Sequence, residues 1–197
     1  MFTQISEKAV NHLISKKIIK SDDHDIYLYG LDRFFTICLN ILTILILGIL
    51  FNLIIQSVVF AFSFMVLRTY TGGYHAKTPA KCYITTLISM IVTLSVIKFV
   101  PIHKFICLGL LLLSCLLIIL LSPIGCANKP LDEIEVVVYR RRAVLICLAE
   151  AGAALVFLAL NIRMLYTPII IADLLIGGSL IFGIRQNQIV YKYNKKD

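Results

Sequence analysis

Residues 108–121 read LGLLLLSCLLIILL, fourteen positions with no charge and no continuous polar face. A transmembrane β-strand would be about ten residues of alternating polarity. In lipid the backbone satisfies its own polar groups only within a helix or a closed barrel, so this stretch predicts a membrane-spanning helix. Working outward, apolar stretches recur at about 34–52, 53–67, 82–100, 103–122, 143–160 and 164–184. Each is close to the ~20 residues a helix needs to cross ~30 Å of hydrocarbon. The whole chain agrees: 197 residues, 59% hydrophobic and only 15% charged, with a mean hydropathy of +0.91, hold more apolar surface than one soluble core could hide. The expected fold is an all-α integral membrane protein with six transmembrane helices.

Lysine and arginine set the expected orientation. With the amino terminus in the cytosol, the leader (Lys8, Lys16, Lys17, Lys20, Arg33), the second-to-third loop (Arg68, Lys77, Lys81), the fourth-to-fifth loop (Lys129, Arg140, Arg141, Arg142) and the tail (Arg185, Lys192, Lys195, Lys196) are all cytosolic. Only Lys98, Lys104 and Arg163, of 19 basic residues, fall outside, as the positive-inside rule requires. The net charge of +8 is then explained by topology and anionic lipid, and no nucleic-acid partner is needed.

In the leader, Ile5, Ala9 and Leu13 recur every four residues beside Phe2, Val10, Ile14 and Ile18, while Lys8, His12, Lys16 and Lys20 take another face. That pattern predicts an amphipathic interfacial helix, read as an inner-leaflet anchor or as a platform for a peptide substrate. The polar break Ser21-Asp22-Asp23-His24-Asp25 follows, a solvated cap with no second ligand cluster to make it a metal site. Residues 1–33 lack a continuous apolar core ending in a small-residue cleavage site, so no cleavable signal is expected. The expected organisation is a cytosolic leader and connector at 1–33, a six-span membrane domain at 34–184 and a cytosolic basic tail at 185–197.

Residues able to do chemistry gather in one expected cytosolic loop, 68–82, RTYTGGYHAKTPAKC. His75 and Cys82 are seven residues apart, about 10 Å along an unbroken helix, so a hydrogen bond between them needs a break. Pro79 supplies one. Thr78 suits the N-cap and Pro79 the first helical position, which puts Cys82 in the first turn of the third span. There the helix dipole, with Lys81, Lys77 and Arg68 nearby, favours the thiolate. Gly72-Gly73 lets the chain turn tightly enough to fold His75 over Cys82, where imidazole can hold a proton and return it to a leaving amine. A nucleophile and its base are then within reach.

Of the other cysteines, Cys38, Cys107, Cys115 and Cys147 lie within spans and read as apolar fillers. Cys126 sits near Lys129 in the other long loop, without a histidine. No His-Glu-x-x-His, Gly-x-Ser-x-Gly, phosphate-loop or Cys-x-x-Cys pattern is present, so no cofactor or metal is expected. Glu150 and Asp173 fall inside spans, where a carboxylate usually faces a partner or a watery cavity. Glu150 or Asn128 could orient His75. The small run at 149–154 also suits close helix packing, including across a homodimer.

The stretch Arg68…Gly72-Gly73-Tyr74-His75-Ala76…Cys82, set between the second and third of six spans, resembles the accessory gene regulator B (AgrB) family, membrane peptidases of Gram-positive quorum sensing. Asn128-Lys129-Pro130-Leu131, followed by an acidic and then a basic run, is also similar, so the likeness spans the chain. The resemblance implies catalytic roles for His75 and Cys82 and functional roles for Arg68, Gly72 and Gly73. It further implies an acyl-thioester on Cys82, formed by cutting a short precursor peptide, and capture of that acyl group by a cysteine or serine of the precursor to close a thiolactone or lactone. Arg68, Lys77 and Lys81 would suit an acidic carboxy-terminal leaving segment. Two other classes stay open: a peptide transporter or channel lined by Glu150 and Asp173, and a noncatalytic scaffold presenting basic loops to an acidic partner.

Overall fold

A computed structural model describes residues 3–73, 79–125 and 132–194 of the chain. Among these the regular structure is helical: α1 (Thr3–Ser15), α2 (His24–Phe51), α3 (Ile54–Thr71), α4 (Pro79–Phe99), α5 (Lys104–Leu121), α6 (Glu133–Ala159) and α7 (Arg163–Asn194). The six from α2 to α7 are long and apolar enough to cross a membrane. Large side chains such as Leu112, Leu116 and Leu120 stand exposed on the outer surface of α5, as expected where lipid replaces water.

Three helices run past the apolar stretches that announce them. A 3-10 turn at Ser21–Asp23 leads directly into α2, which carries Asp32 and Arg33 within it. At 28 residues it measures about 42 Å, so its polar first turns extend beyond ~30 Å of hydrocarbon. α6 starts at Glu133 because Asp132 and Glu135 form a capping box, the Asp132 backbone N–H donating to Glu135 Oε2 at 3.3 Å. The acidic residues of this loop thus start a helix, and Arg140, Arg141 and Arg142 ride on its exposed side. α7 continues past Arg185 to Asn194.

α1 packs on α2, burying Val10 and Ser6 while Lys8, His12 and Lys16 stay exposed. Its apolar residues do not all turn inward, for Ile5 remains 56% exposed.

α7 is the centre of the bundle: 61% of its apolar window is buried, against 11% for α2. Residues 166–173 are buried on every face of the helix, and Ile176 and Leu180 continue the enclosure one turn apart. Gly177 sits beneath Leu117 of α5, where an added Cβ would stand 3.2 Å from the leucine Cβ. Such close approach through small residues is how helices associate where lipid removes the usual hydrophobic drive.

The two ends of the bundle differ. At one end Lys98 Nζ donates to the Phe51 carbonyl at 3.0 Å and Arg163 Nη2 to the Val100 carbonyl at 2.7 Å, binding the α2–α3, α4–α5 and α6–α7 connections together. At the other, Gly72 and Ile124 form a parallel bridge that joins the connection after α3 to the one after α5. The long loops therefore share one end, and the candidate chemistry lies there.

Candidate active site

Arg68 lies in the last turn of α3, so its side chain projects toward the chain that follows. Its Nη1 donates to the Gly72 carbonyl at 2.5 Å and to Ser179 Oγ of α7 at 2.6 Å. The turn beneath it demands glycine twice over. Gly72 has φ +69 and Gly73 φ +114, values that L side chains rarely adopt. A Cβ at Gly72 would also meet the Ile124 carbonyl oxygen, and one at Gly73 would strike Arg68 Nη1 and stand 2.9 Å from Ser179 Oγ. The Ile124 N–H donates to the Thr71 carbonyl at 2.9 Å. The glycine turn is thereby held to α3, to α7 and to the second loop.

On the far side of the loop α4 begins at Pro79, and Cys82 is exposed in its first turn, as the sequence anticipated. Thr86 Oγ1 donates to the Cys82 carbonyl at 3.0 Å, and Thr85 Oγ1 to that of Lys81 at 2.9 Å. Tyr83 fixes this turn to α2 through a 2.7 Å hydrogen bond with Thr43. His75, Lys77, Asn128 and the rival Cys126 lie outside the described residues.

A cavity of about 480 Å³ opens between α2, α3, α4 and the segment 123–125. Arg68, Tyr70 and Gly72 stand at its loop end, Phe60, Phe64 and Met90 deep inside, and Tyr83 and Thr86 along its α4 wall. Cys82 is not itself in the lining, but it is one residue from Tyr83 and one helical turn from Thr86, which are. At the rim Tyr70 packs edge-on against Tyr139 of α6 at 5.9 Å, and the Arg142 guanidinium sits 5.5 Å over the Tyr70 ring, a cation–π contact.

Glu150 lies elsewhere, against Asp173 of α7 and near Cys115. Asp173 is fully buried, and its carboxyl faces that of Glu150. Both carboxyls stay out of the cavity lining. Asp173 is six residues before Ser179, about 9 Å deeper along α7. No three histidine, cysteine, aspartate or glutamate side chains among the described residues group to hold a metal ion. Sequence reasoning missed Ser179. Its only signal is a hydroxyl seven residues past the buried Ala172, which also describes an ordinary packing serine.

Six apolar helices with α7 at their centre, and with joined loops at one end, define a multi-pass helical membrane protein. The profile of the family described as accessory gene regulator B matches residues 6–185, and the chain belongs to that family, the AgrB proteins of quorum sensing. A putative AgrB-like protein of Listeria monocytogenes is 26% identical over 196 residues, covering 98% of this chain and 91% of the relative. Protein FsrB of Enterococcus faecalis is 27% identical over 179 residues, covering 85% of this chain and 70% of that protein. The putative AgrB-like protein 2 of Clostridium perfringens is 27% identical over 96 residues, a match to 49% of this chain, so the chain spans under half (44%) of that relative. No solved structure matches the chain.

Proposed function

We propose that the protein is a membrane cysteine endopeptidase that removes the carboxy-terminal segment of a small quorum-sensing precursor peptide. One observation carries the reading: Cys82 is an exposed thiol in the first turn of α4, flanking a cavity whose loop end is pinned by Arg68, Gly72 and Ser179. The dipole at the start of α4 favours negative charge there. His75, two residues past the pinned Gly73, supplies a proton carrier of the right chemical type.

In the proposed reaction the Cys82 thiolate attacks the carbonyl carbon of the scissile bond. The C–N bond breaks, the departing nitrogen takes a proton from His75, and the acyl half stays on Cys82 as a thioester. A cysteine or serine of the precursor then attacks that carbonyl carbon and gives its proton to His75. Cys82 leaves as thiolate, and a thiolactone or lactone ring closes. Arg68, Gly72 and Gly73 position the loop, while Lys77, Lys81 and Arg142 hold an acidic leaving segment. Both termini and the long connections are cytosolic in this reading, with α1 at the inner membrane surface. Glu150 takes a packing role, and the small residues beside it suit a homodimer contact. A transporter reading gains nothing from Glu150 and Asp173, because neither lines the cavity.

The intermediate gives the test. Purified protein incubated with precursor and quenched in acid should gain the mass of the acyl fragment on the peptide containing Cys82, and hydroxylamine should remove it. A Cys82 that stays unmodified while precursor is cut would refute the covalent route.

A further inference from the structure

We propose that the cavity between α2, α3 and α4 receives the apolar side chains on the acyl side of the scissile bond, and so selects precursors with bulky aliphatic or aromatic residues just before the cut. The assignment rests on the peptidase reading and names what that site recognises. Position is the first argument. A carbonyl attacked by Cys82 sits against the thiol, and Thr86, four residues on, has its Cβ about 5–6 Å away on the same helical face. A residue bearing that carbonyl therefore reaches the cavity wall formed by Tyr83 and Thr86.

Size and chemistry agree. A cavity of about 150 Å³ holds one benzene ring, so about 480 Å³ takes two or three side chains. Its depth is apolar, with Phe60 and Phe64 stacked at 5.8 Å and Met90 beside them. Two of the polar groups along it are already bonded within the protein, Thr43 to Tyr83 and Arg68 to Gly72 and Ser179. A charged side chain carried past Arg68 into that apolar depth would lose water for little return. The rim is the reverse, carrying Arg142 over Tyr70 with Lys81 next to Cys82. An apolar interior beneath a cationic rim complements a peptide that is apolar before the cut and acidic after it. A lipid chain is the competing occupant.

Four probes test this on the full-length protein in nanodiscs: the benzyl thioesters of N-acetyl-Phe, N-acetyl-Leu, N-acetyl-Gly and N-acetyl-Asp. Cys82 attacks the thioester carbonyl, benzyl thiol leaves, and the adduct is read by mass. Phe and Leu probes should acylate Cys82 at least about tenfold faster than Gly and Asp probes, a discrimination that apolar pockets reach. In Ala61→Phe, which fills the cavity from α3, the Phe-to-Gly rate ratio should fall at least about tenfold, with Ala61→Leu intermediate. The ratio is taken on one sample, so partial misfolding cancels. Equal rates for all probes, or a ratio unmoved by both variants, would overturn the assignment and leave the cavity to lipid. Absence of any Cys82 adduct would instead overturn the peptidase reading and this assignment with it.

Discussion

Arg68 at the end of α3 and Ser179 on α7 are joined by a 2.6 Å hydrogen bond, although 111 residues separate them in the chain. Ser179→Ala removes one of the two acceptors bonded to Arg68 Nη1 and loosens the glycine turn from α7. A hydrogen bond to a charged group contributes about 1.5–3 kcal/mol, so precursor cleavage is expected to fall about tenfold or more, with membrane levels unchanged. Arg68→Ala should do more damage, since it also releases the Gly72 carbonyl. Cleavage rates on immunoblot-normalised membranes compare the two, and equal effects would remove the Gly72 contact from the account.

The turn itself predicts a contrast among glycines. Gly72→Ala and Gly73→Ala each force a side chain onto a positive φ, at about 1–3 kcal/mol, and each collides with a named neighbour. Both should abolish cleavage. Gly152→Ala meets open space inside α6 and should be neutral or stabilising by about 0.5–1 kcal/mol, measured as thermal unfolding in detergent.

Topology has a direct readout in Cys82, which is exposed. In a variant retaining only that cysteine, a membrane-impermeant maleimide should miss it in intact cells and label it in inside-out vesicles. Labelling from outside would reverse the orientation drawn from the basic residues.

Asp173 is fully buried against the Glu150 carboxyl. Asp173→Asn keeps its shape and removes any need to bury charge. It should leave cleavage within about twofold and stability within about 1 kcal/mol. A loss of cleavage at normal protein level would give the carboxyl a working role that the packing reading denies it.

The sequence announced the spans because lipid imposes a single requirement, about 20 apolar residues, that composition alone reveals. It also anticipated the start of α4, where Pro79 can only begin a helix or break one. The early starts of α2 and α6 were harder to read, since Asp32, Arg33 and Arg140–Arg142 interrupt the apolar pattern without interrupting the helix. Gly72 and Gly73 were legible as a turn, but not the reason both are needed: the Ile124 carbonyl and the Arg68–Ser179 bond arrive from distant parts of the chain. The cavity was not legible at all, because Thr43, Phe60 and Tyr83 come together only through packing.

The central claim is that Cys82 is the nucleophile, and co-expression of the precursor with Cys82→Ala tests it most directly. The substitution is at an exposed helix start, where no large cavity is created and folding should survive. The account predicts that Cys82→Ala reaches the membrane at normal levels and releases no carboxy-terminal segment, that His75→Ala behaves the same way, and that Cys82→Ser is almost as inactive. Cleavage by Cys82→Ala at the unsubstituted rate, followed by gel or mass spectrometry, would contradict it.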